Sequence, residues 1–266
     1  MKHRLGVLGW PVAHSRSPAI HNAALRALGM DGWRYQLLPV PPELLAQTVR
    51  ALGRAGFVGA NVTIPHKQAA LALADSASEA AGAIGAANTL TFAEDGAIAA
   101  ENTDAPGLIA AIGEPLTGKR ALVLGAGGSA RAAVWALREA GAAEVLVWNR
   151  THERAVELAH ELGARALAEP QPADVLVNCT AVGLDPAAGE EPAQLGLTRA
   201  LLGEFETVVD LVYRESSTEL VAAAQGQGAR TIDGLEMLVA QGALSFELWT
   251  GREAPLEAMH EAARAG

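Results

Sequence analysis

The stretch "RALVLGAGGSARAAVWALREAG", residues 120–141, decides the fold. A β-run over Ala121–Leu124 enters a glycine turn, and a helical pattern of small and apolar residues leaves it. Gly125, Gly127 and Ala130 stand in G-x-G-x-x-A spacing. Gly125 allows the tight turn, and Gly127 lets the backbone approach a pyrophosphate. Ala130 keeps the helix against the strand, so that the helix N-terminus faces the anion. A glycine turn can serve packing alone, but the strand-turn-helix context favours dinucleotide binding.

The same order continues outward in both directions. Downstream, "EVLVWNRTHERAVELAHELG" (144–163) is a second strand and helix, while "DVLVNCT" (174–180) and "TVVDLVY" (207–213) supply buried strands. Upstream, "RLGVLGW" (4–10), "WRYQLLPV" (33–40) and "FVGANVTI" (57–64) read as strands separated by helices at 17–29 and 42–56. Ser17 is placed to cap the first of these helices, Pro18 opens it and Gly29 stops it. "NTLTFAEDGAIAAENTD" (88–104) reads as a hairpin around Asp95-Gly96. The segment "GLEMLVAQGALSFELWTG" (234–251) is helical, with Leu235, Leu238, Val239 and Leu248 at apolar spacing. Strand-helix alternation on this scale predicts a two-domain α/β chain with largely parallel sheets covered by helices.

Composition narrows the function classes. A formal net charge of -10, with no basic stripe to offset it, argues against nucleic acid. No apolar run approaches the roughly 20 residues that span a bilayer, and the apolar segment near the N-terminus is too short for a signal peptide. A soluble cytoplasmic protein is expected, with no membrane partner; oligomeric state is not legible, and a homodimer is one option. Cys179 is the single cysteine, which excludes an internal disulfide and any multi-cysteine metal site; in its apolar run it reads as an inert core residue. His14, His21 and His66 lack the converging spacing of metal ligands and read as surface or structural residues, so no metal is expected. Lysine occurs only at Lys2, Lys67 and Lys119, every other basic residue being arginine. Unlike arginine, an amine can be tuned to exchange protons, which draws attention to Lys67.

The second strand of the glycine-turn series ends "VWNRTHER", with Asn149, Arg150 and Thr151 at its tip and Arg154 one turn on. NAD-preferring sites carry an acid here for the ribose 2′-hydroxyl. An acid would repel a 2′-phosphate, whereas two guanidiniums can grip it bidentately. Thr151 could also cap a helix and the arginines form a solvated face; the absent acid and the two arginines favour NADP.

Asparagine is scarce, yet three of the six fall in Asn/Thr corners: Asn61 with Thr63, Asn88 with Thr89, and Asn102 with Thr103 and Asp104. Each corner lies at a predicted strand edge, where α/β sheets bind ligands. Any one of them could be a turn that satisfies its own backbone. All three together, with Lys67 and Asp104 attached, suit a small polyhydroxylated ligand. Ser15 and Ser17 in "HSRSP" stand at a helix start, where hydroxyls and free N–H groups make a carboxylate site.

These motifs are similar to those of the shikimate dehydrogenase family. "HSRSP", "NVTIPHK", "GAANTL", "ENTDAPG", "GAGGSARA", "NRT" and "GLEMLVAQGALSFELW" follow one another from about residue 9 to residue 250. The resemblance implies NADP-dependent interconversion of 3-dehydroshikimate and shikimate in aromatic amino-acid biosynthesis. It implies a substrate domain over 1–102 joined by C-terminal helices 239–266, and a Rossmann-type NADP domain over 103–238. Lys67 and Asp104 resemble the catalytic pair, either of which could transfer the proton. Ser15, Ser17, Asn61, Thr63, Asn88, Tyr213 and Gln241 resemble the residues that hold the substrate with them. Gly125, Ala126, Gly127, Gly128 and Ser129, with Asn149, Arg150, Thr151 and Arg154, resemble the NADP-binding turns. Leu211 and Gly234 fall where the family lines the nicotinamide end, and Glu79 at another cofactor position. Two departures are visible: Leu211 replaces a common Met, and His66 a common aromatic. A quinate/shikimate relative using NAD, or a non-catalytic NADP-binding sensor of the same fold, is the alternative. Arg150 and Arg154 speak against the first, and the retained Lys67 and Asp104 against the second.

Overall fold

The computed structural model describes residues 3–214 and 216–265, so Lys2 lies outside the described residues. The chain forms two compact units: residues up to Gly107 together with those from Leu238 onward, and Leu108–Met237. The first boundary falls inside a helix, and so does the second.

In the first unit the chain runs β1 (His3–Gly9), α1 (Ser17–Ala27), β2 (Trp33–Pro39), α2 (Leu45–Leu52), β3 (Phe57–Val62), α3 (Lys67–Ala72), β4 (Ser76–Ala77), α4 (Glu79–Ile84), β5 (Thr89–Phe92), β6 (Ile98–Glu101) and the start of α5 (Asp104–Ile112). The sheet order is β2-β1-β3-β5-β6-β4. β1 pairs in parallel with β2 and β3, and the β5-β6 hairpin joins antiparallel to β3. Successive strand side chains point to opposite faces. Leu5, Val7 and Tyr35 therefore pack with Trp249 on one face, while Leu8, Ala60, Val62 and Leu90 build the core on the other.

The second unit continues with β7 (Arg120–Leu124), α6 (Gly128–Glu139), β8 (Glu144–Trp148), α7 (His152–Leu162), β9 (Arg165–Ala166), β10 (Val175–Asn178), α8 (Glu191–Gln194), α9 (Arg199–Leu202), β11 (Thr207–Asp210), α10 (Glu219–Gln225) and β12 (Arg230–Ile232). Its six strands are all parallel, in the order β12-β11-β10-β7-β8-β9. Ala121, Val123, Val145, Val147, Val175 and Val177 pack on one face, and Leu122, Leu124, Leu146 and Leu176 on the other. Helices cover both faces of a parallel sheet, which is why these strands read as unbroken apolar runs. This is the Rossmann-type half of the expected α/β fold. Helix α11 (Gly234–Thr250) leads back to the first unit, and α12 (Leu256–Arg264) packs on α1. Gly59 makes that return possible: a Cβ there would lie 2.0 Å from Trp249 Nε1, which donates to Leu90 O at 3.1 Å. No helix among the described residues is long and apolar enough to cross a membrane.

Two local expectations are corrected. Ser17 does not cap α1: Arg16 holds the cap position with no side-chain cap bond, and its carbonyl accepts from Ala19 N and Ile20 N. Gly29 does stop that helix, in the left-handed region at φ +64°. Leu248 is exposed, whereas Ser245 and Trp249 on the same helix are buried. A helix apolar on nearly every side leaves spacing unable to choose the inward face.

Candidate active site

Register in the first unit brings the polar corners to one sheet edge. Leu8 is paired with Val62, Asn61 with Thr89, and Thr89 with Glu101. The chain leaving β1 towards Ser15, the chain leaving β3 towards Lys67, and the turn after β6 therefore share an edge with Asn88. At its centre Lys67 Nζ donates to Asp104 Oδ2 at 2.6 Å. Each of these side chains keeps 11% exposure, which leaves the pair within reach of a small molecule. Asn88 Nδ2 donates to the other Asp104 oxygen at 2.8 Å and to Thr103 Oγ1 at 2.9 Å, with Gln241 Oε1 at 3.3 Å as a weaker third acceptor. Asn88 Oδ1 accepts from Thr103 N and Thr89 Oγ1. One asparagine thus orients the carboxylate so that its free edge meets the amine. Close packing of α5 on α11 fixes Gln241, because a Cβ on Gly107 would lie 2.9 Å from its backbone.

The other corners have distinct duties. Asn102 Oδ1 accepts from Asp104 N and Ala105 N and its amide donates to Ala86 O, so this corner is a helix-start turn. Asn61 accepts from Tyr35 Oη at 2.8 Å and donates to Asn88 O and Thr89 Oγ1. It is 5% exposed with its amide fully engaged, and it supports Asn88 from behind. Nothing in the sequence around Tyr35 marks it as part of this edge. Its signal was being one of two tyrosines, but its partner lies 26 residues away and only strand register unites them. Ser15 Oγ donates to Ser17 Oγ at 3.2 Å and accepts from Ser17 N. The N–H groups at the start of α1 are engaged within the chain, which leaves the two hydroxyls as the polar feature of this turn. The Thr63 hydroxyl makes no hydrogen bond among the described residues.

His21 is fully buried, stacked on Tyr35 at 4.2 Å, and neither ring nitrogen has a hydrogen-bond partner. Burial pushes it down to about 3, against a weak opposing effect of nearby Asn61. His66 is buried and pairs with Val40 O, while His14 is exposed. Among the described residues no group of three His, Cys, Asp or Glu side chains is placed to hold a metal ion.

The second unit carries the remaining predicted residues except Glu79, which opens α4 in the first unit and is exposed. Gly125 has φ +109°, a conformation that L side chains rarely adopt, and a Cβ there would press on Cys179 O at 3.2 Å. Gly127 is exposed at the α6 cap position, where an added Cβ would meet nothing and no side chain closes the helix start. The Gly125 N–H donates to Trp148 O at 2.8 Å and so holds the turn, while the open space at Gly127 beside the uncapped start of α6 fits a dinucleotide pyrophosphate. Asn149 Nδ2 donates to Thr151 O, and the Thr151 side chain makes no cap bond. Arg150 and Arg154 are exposed and have no ion-pair partner among the described residues. Two unneutralised guanidiniums beside the β8 end, with no carboxylate at the strand tip, fit a 2′-phosphate. Leu211 and Tyr213 lie in the loop after β11, and Gly234 packs against that loop.

Comparison with known proteins agrees with this geometry. Residues 7–90 match the family model for the shikimate dehydrogenase substrate binding domain, 108–182 that for shikimate / quinate 5-dehydrogenase, and 234–264 that for the shikimate 5'-dehydrogenase C-terminal domain. A shikimate dehydrogenase (NADP(+)) of Thermus thermophilus is 49% identical, over 98% of this chain and 97% of its own. The counterpart in Methanopyrus kandleri is 44% identical, over 97% and 93%. A crystal structure of shikimate 5-dehydrogenase from Thermus thermophilus in complex with NADP(H) and shikimate superposes with a TM-score of 0.87 at 47% identity, covering 100% of this chain and 99% of that one. Identity of this order along nearly the whole of both sequences means that the chain belongs to the shikimate dehydrogenase family.

Proposed function

We propose that this chain is an NADP-dependent shikimate dehydrogenase, which reversibly reduces 3-dehydroshikimate to shikimate on the route to aromatic amino acids. The observation that carries the reading is the reachable Lys67–Asp104 pair, 2.6 Å apart and oriented by Asn88 at a sheet edge rich in hydroxyl and amide groups. Relatives named as this enzyme support it over the length of the chain.

Reducing a ring ketone requires hydride at carbon and a proton at oxygen, and NADPH, when bound, supplies the hydride. The Lys67 ammonium stabilises negative charge developing on the ketone oxygen, and the Lys67–Asp104 pair delivers the proton. Asp104 holds the amine with one oxygen while Asn88 holds the other, so the pair needs little reorganisation during reaction. Ser15 and Ser17 hydroxyls take the substrate carboxylate, and Thr63, Asn88 and Gln241 its hydroxyl groups. Asn61 acts through Asn88 rather than by touching substrate. Tyr213 belongs to the same substrate set. Gly125, Ala126, Gly127, Gly128 and Ser129 hold the pyrophosphate; Asn149, Arg150, Thr151 and Arg154 hold the 2′-phosphate end. Leu211 and Gly234 line the nicotinamide end. A cytoplasmic location belongs to the same proposal, since both ligands are small water-soluble anions.

The test is to supply the purified protein with shikimate or quinate and with NADP or NAD, and to follow the near-ultraviolet absorbance of the reduced cofactor. Turnover with shikimate and NADP that exceeds the other three combinations is expected. Binding of NADP with no turnover of either acid would favour a sensor, and preference for quinate with NAD would favour the broader relative.

A further inference from the structure

A second polar cluster lies in the second unit, outside every residue assigned above. Asp210, fully buried at the end of β11, accepts from Asn178 Nδ2 at 2.9 Å, Val212 N at 3.1 Å and Thr218 Oγ1 at 2.7 Å. It thereby ties Val212 and Thr218 to the ends of β10 and β11. Arg214 is a second anchor. Its guanidinium donates to Glu191 Oε1 at 2.7 Å, Gly183 O at 3.1 Å and Ser217 O at 2.9 Å. Glu191 is 2% exposed, and its other oxygen accepts from Leu220 N at 3.2 Å.

Burying the Asp210 and Glu191 carboxylates is costly, and apolar side chains of similar size often serve stability as well or better. Geometry offers a reason for them. The chain after β11 leaves the carboxyl edge of a parallel sheet, where open α/β folds bind their ligands. β11 adjoins β10, and β10 adjoins β7, whose end carries the glycine turn. The edge is tightly packed: a Cβ on Gly125 would meet Cys179 O at 3.2 Å, and one on Gly234 would meet Val212 O at 2.6 Å.

We infer that Asp210, Glu191 and Arg214 are positioning residues that hold residues 211–214 so that Leu211 presents a fixed wall to the reacting end of the dinucleotide. The inference rests on the dinucleotide reading of the glycine turn. A fixed wall sets the approach of hydride donor and acceptor and leaves grip on the distant phosphates to other residues. Its loss therefore slows chemistry more than it weakens cofactor binding.

The test compares Thr218→Val, which removes the hydroxyl from Asp210, and Glu191→Gln, which removes the charge from Arg214, with the unaltered enzyme. Each variant is expected to lose about tenfold in kcat while its Kd for NADP stays within about threefold. With shikimate deuterated at the oxidised carbon, each is also expected to show a larger isotope effect on kcat. Thr218→Ser, which keeps the hydroxyl, should restore kcat to within about twofold. A merely structural role predicts fewer active molecules and an unchanged isotope effect, and that outcome overturns the inference. If the variants do not fold, amide exchange in the unaltered protein decides: protection of Val212 N supports the clamp, and exchange as fast as at an exposed loop overturns it. Failure of the unaltered protein to bind NADP would remove the dinucleotide reading and the clamp together. Normal NADP binding with unchanged variant kinetics would remove the clamp alone.

Discussion

Lys67 is one of three lysines in the chain, and its ammonium sits against the Asp104 carboxylate. Lys67→Ala is expected to lower turnover by about a thousandfold, in line with loss of proton transfer together with charge stabilisation. The KM for shikimate should change far less, since the serine and amide groups remain. Steady-state kinetics on the folded variant decides, and near-wild-type kcat would exclude the role. Rarity made Lys67 legible in the sequence, and repeated Asn/Thr pairs marked the edge around it. What could not be read was which of the asparagines faces outward. Asn61, Asn88 and Asn102 look alike in sequence, yet their partners come from positions 35, 103–105 and 241, which only folding brings together. Ser17 misled for a related reason: a helix start favours a capping serine, but here the Arg16 carbonyl and the Ser15 hydroxyl already engage the local N–H groups.

At the scale of elements, the loop between β8 and α7 carries the cofactor preference. Replacing both Arg150 and Arg154 by alanine should weaken NADP by about a hundredfold, the combined effect of losing two exposed charge-assisted contacts to phosphate. NAD should change by less than about threefold, since it presents no 2′-phosphate to lose. Titration of the double variant with each dinucleotide checks this, and equal losses would refute the assignment. The parallel sheet of the second unit was readable because each central strand is buried on both faces and appears as an uninterrupted apolar run. Short pieces were not: β4 and β9 have two residues each, and α8 and α9 four, too few to show any period. The pairs Asp210–Thr218 and Glu191–Arg214 were equally hidden, because charged residues between strands read as ordinary loop polarity until the loop is seen to fold inward.

Considered as a whole molecule, each unit holds a buried titratable group, and the two act in opposite directions. His21 in the first unit falls from 6.5 to about 3 because burial disfavours its charged form. Its contribution to stability is present above pH 6.5 and is lost as pH drops towards 3. Asp210 in the second unit is raised from 3.8 to about 6, mainly by burial and in smaller part by Glu191, against its hydrogen bonds from Thr218, Val212 and Asn178. Its contribution is present below pH 3.8 and is lost as pH rises through 6. Between about pH 7 and pH 5 the first unit should therefore lose about 2 kcal/mol from His21, and the second gain about 1 kcal/mol from Asp210. Calorimetry on His21→Phe and Asp210→Asn should show each unit's pH dependence flattened in turn; parallel slopes in variant and parent would contradict these values. The first unit is also made of two separated stretches of chain, and Gln241, beside Asn88, belongs to the later one. On a ribosome the intervening stretch of about 130 residues takes roughly 7 to 26 s to synthesise. The second unit can mature as it emerges, whereas the N-terminal sheet waits, with its Trp249 and Gln241 positions unfilled, until the stretch from Leu238 onward has been made. Nascent chains arrested before residue 238 should accordingly be clients for chaperones that recognise uncovered apolar strands.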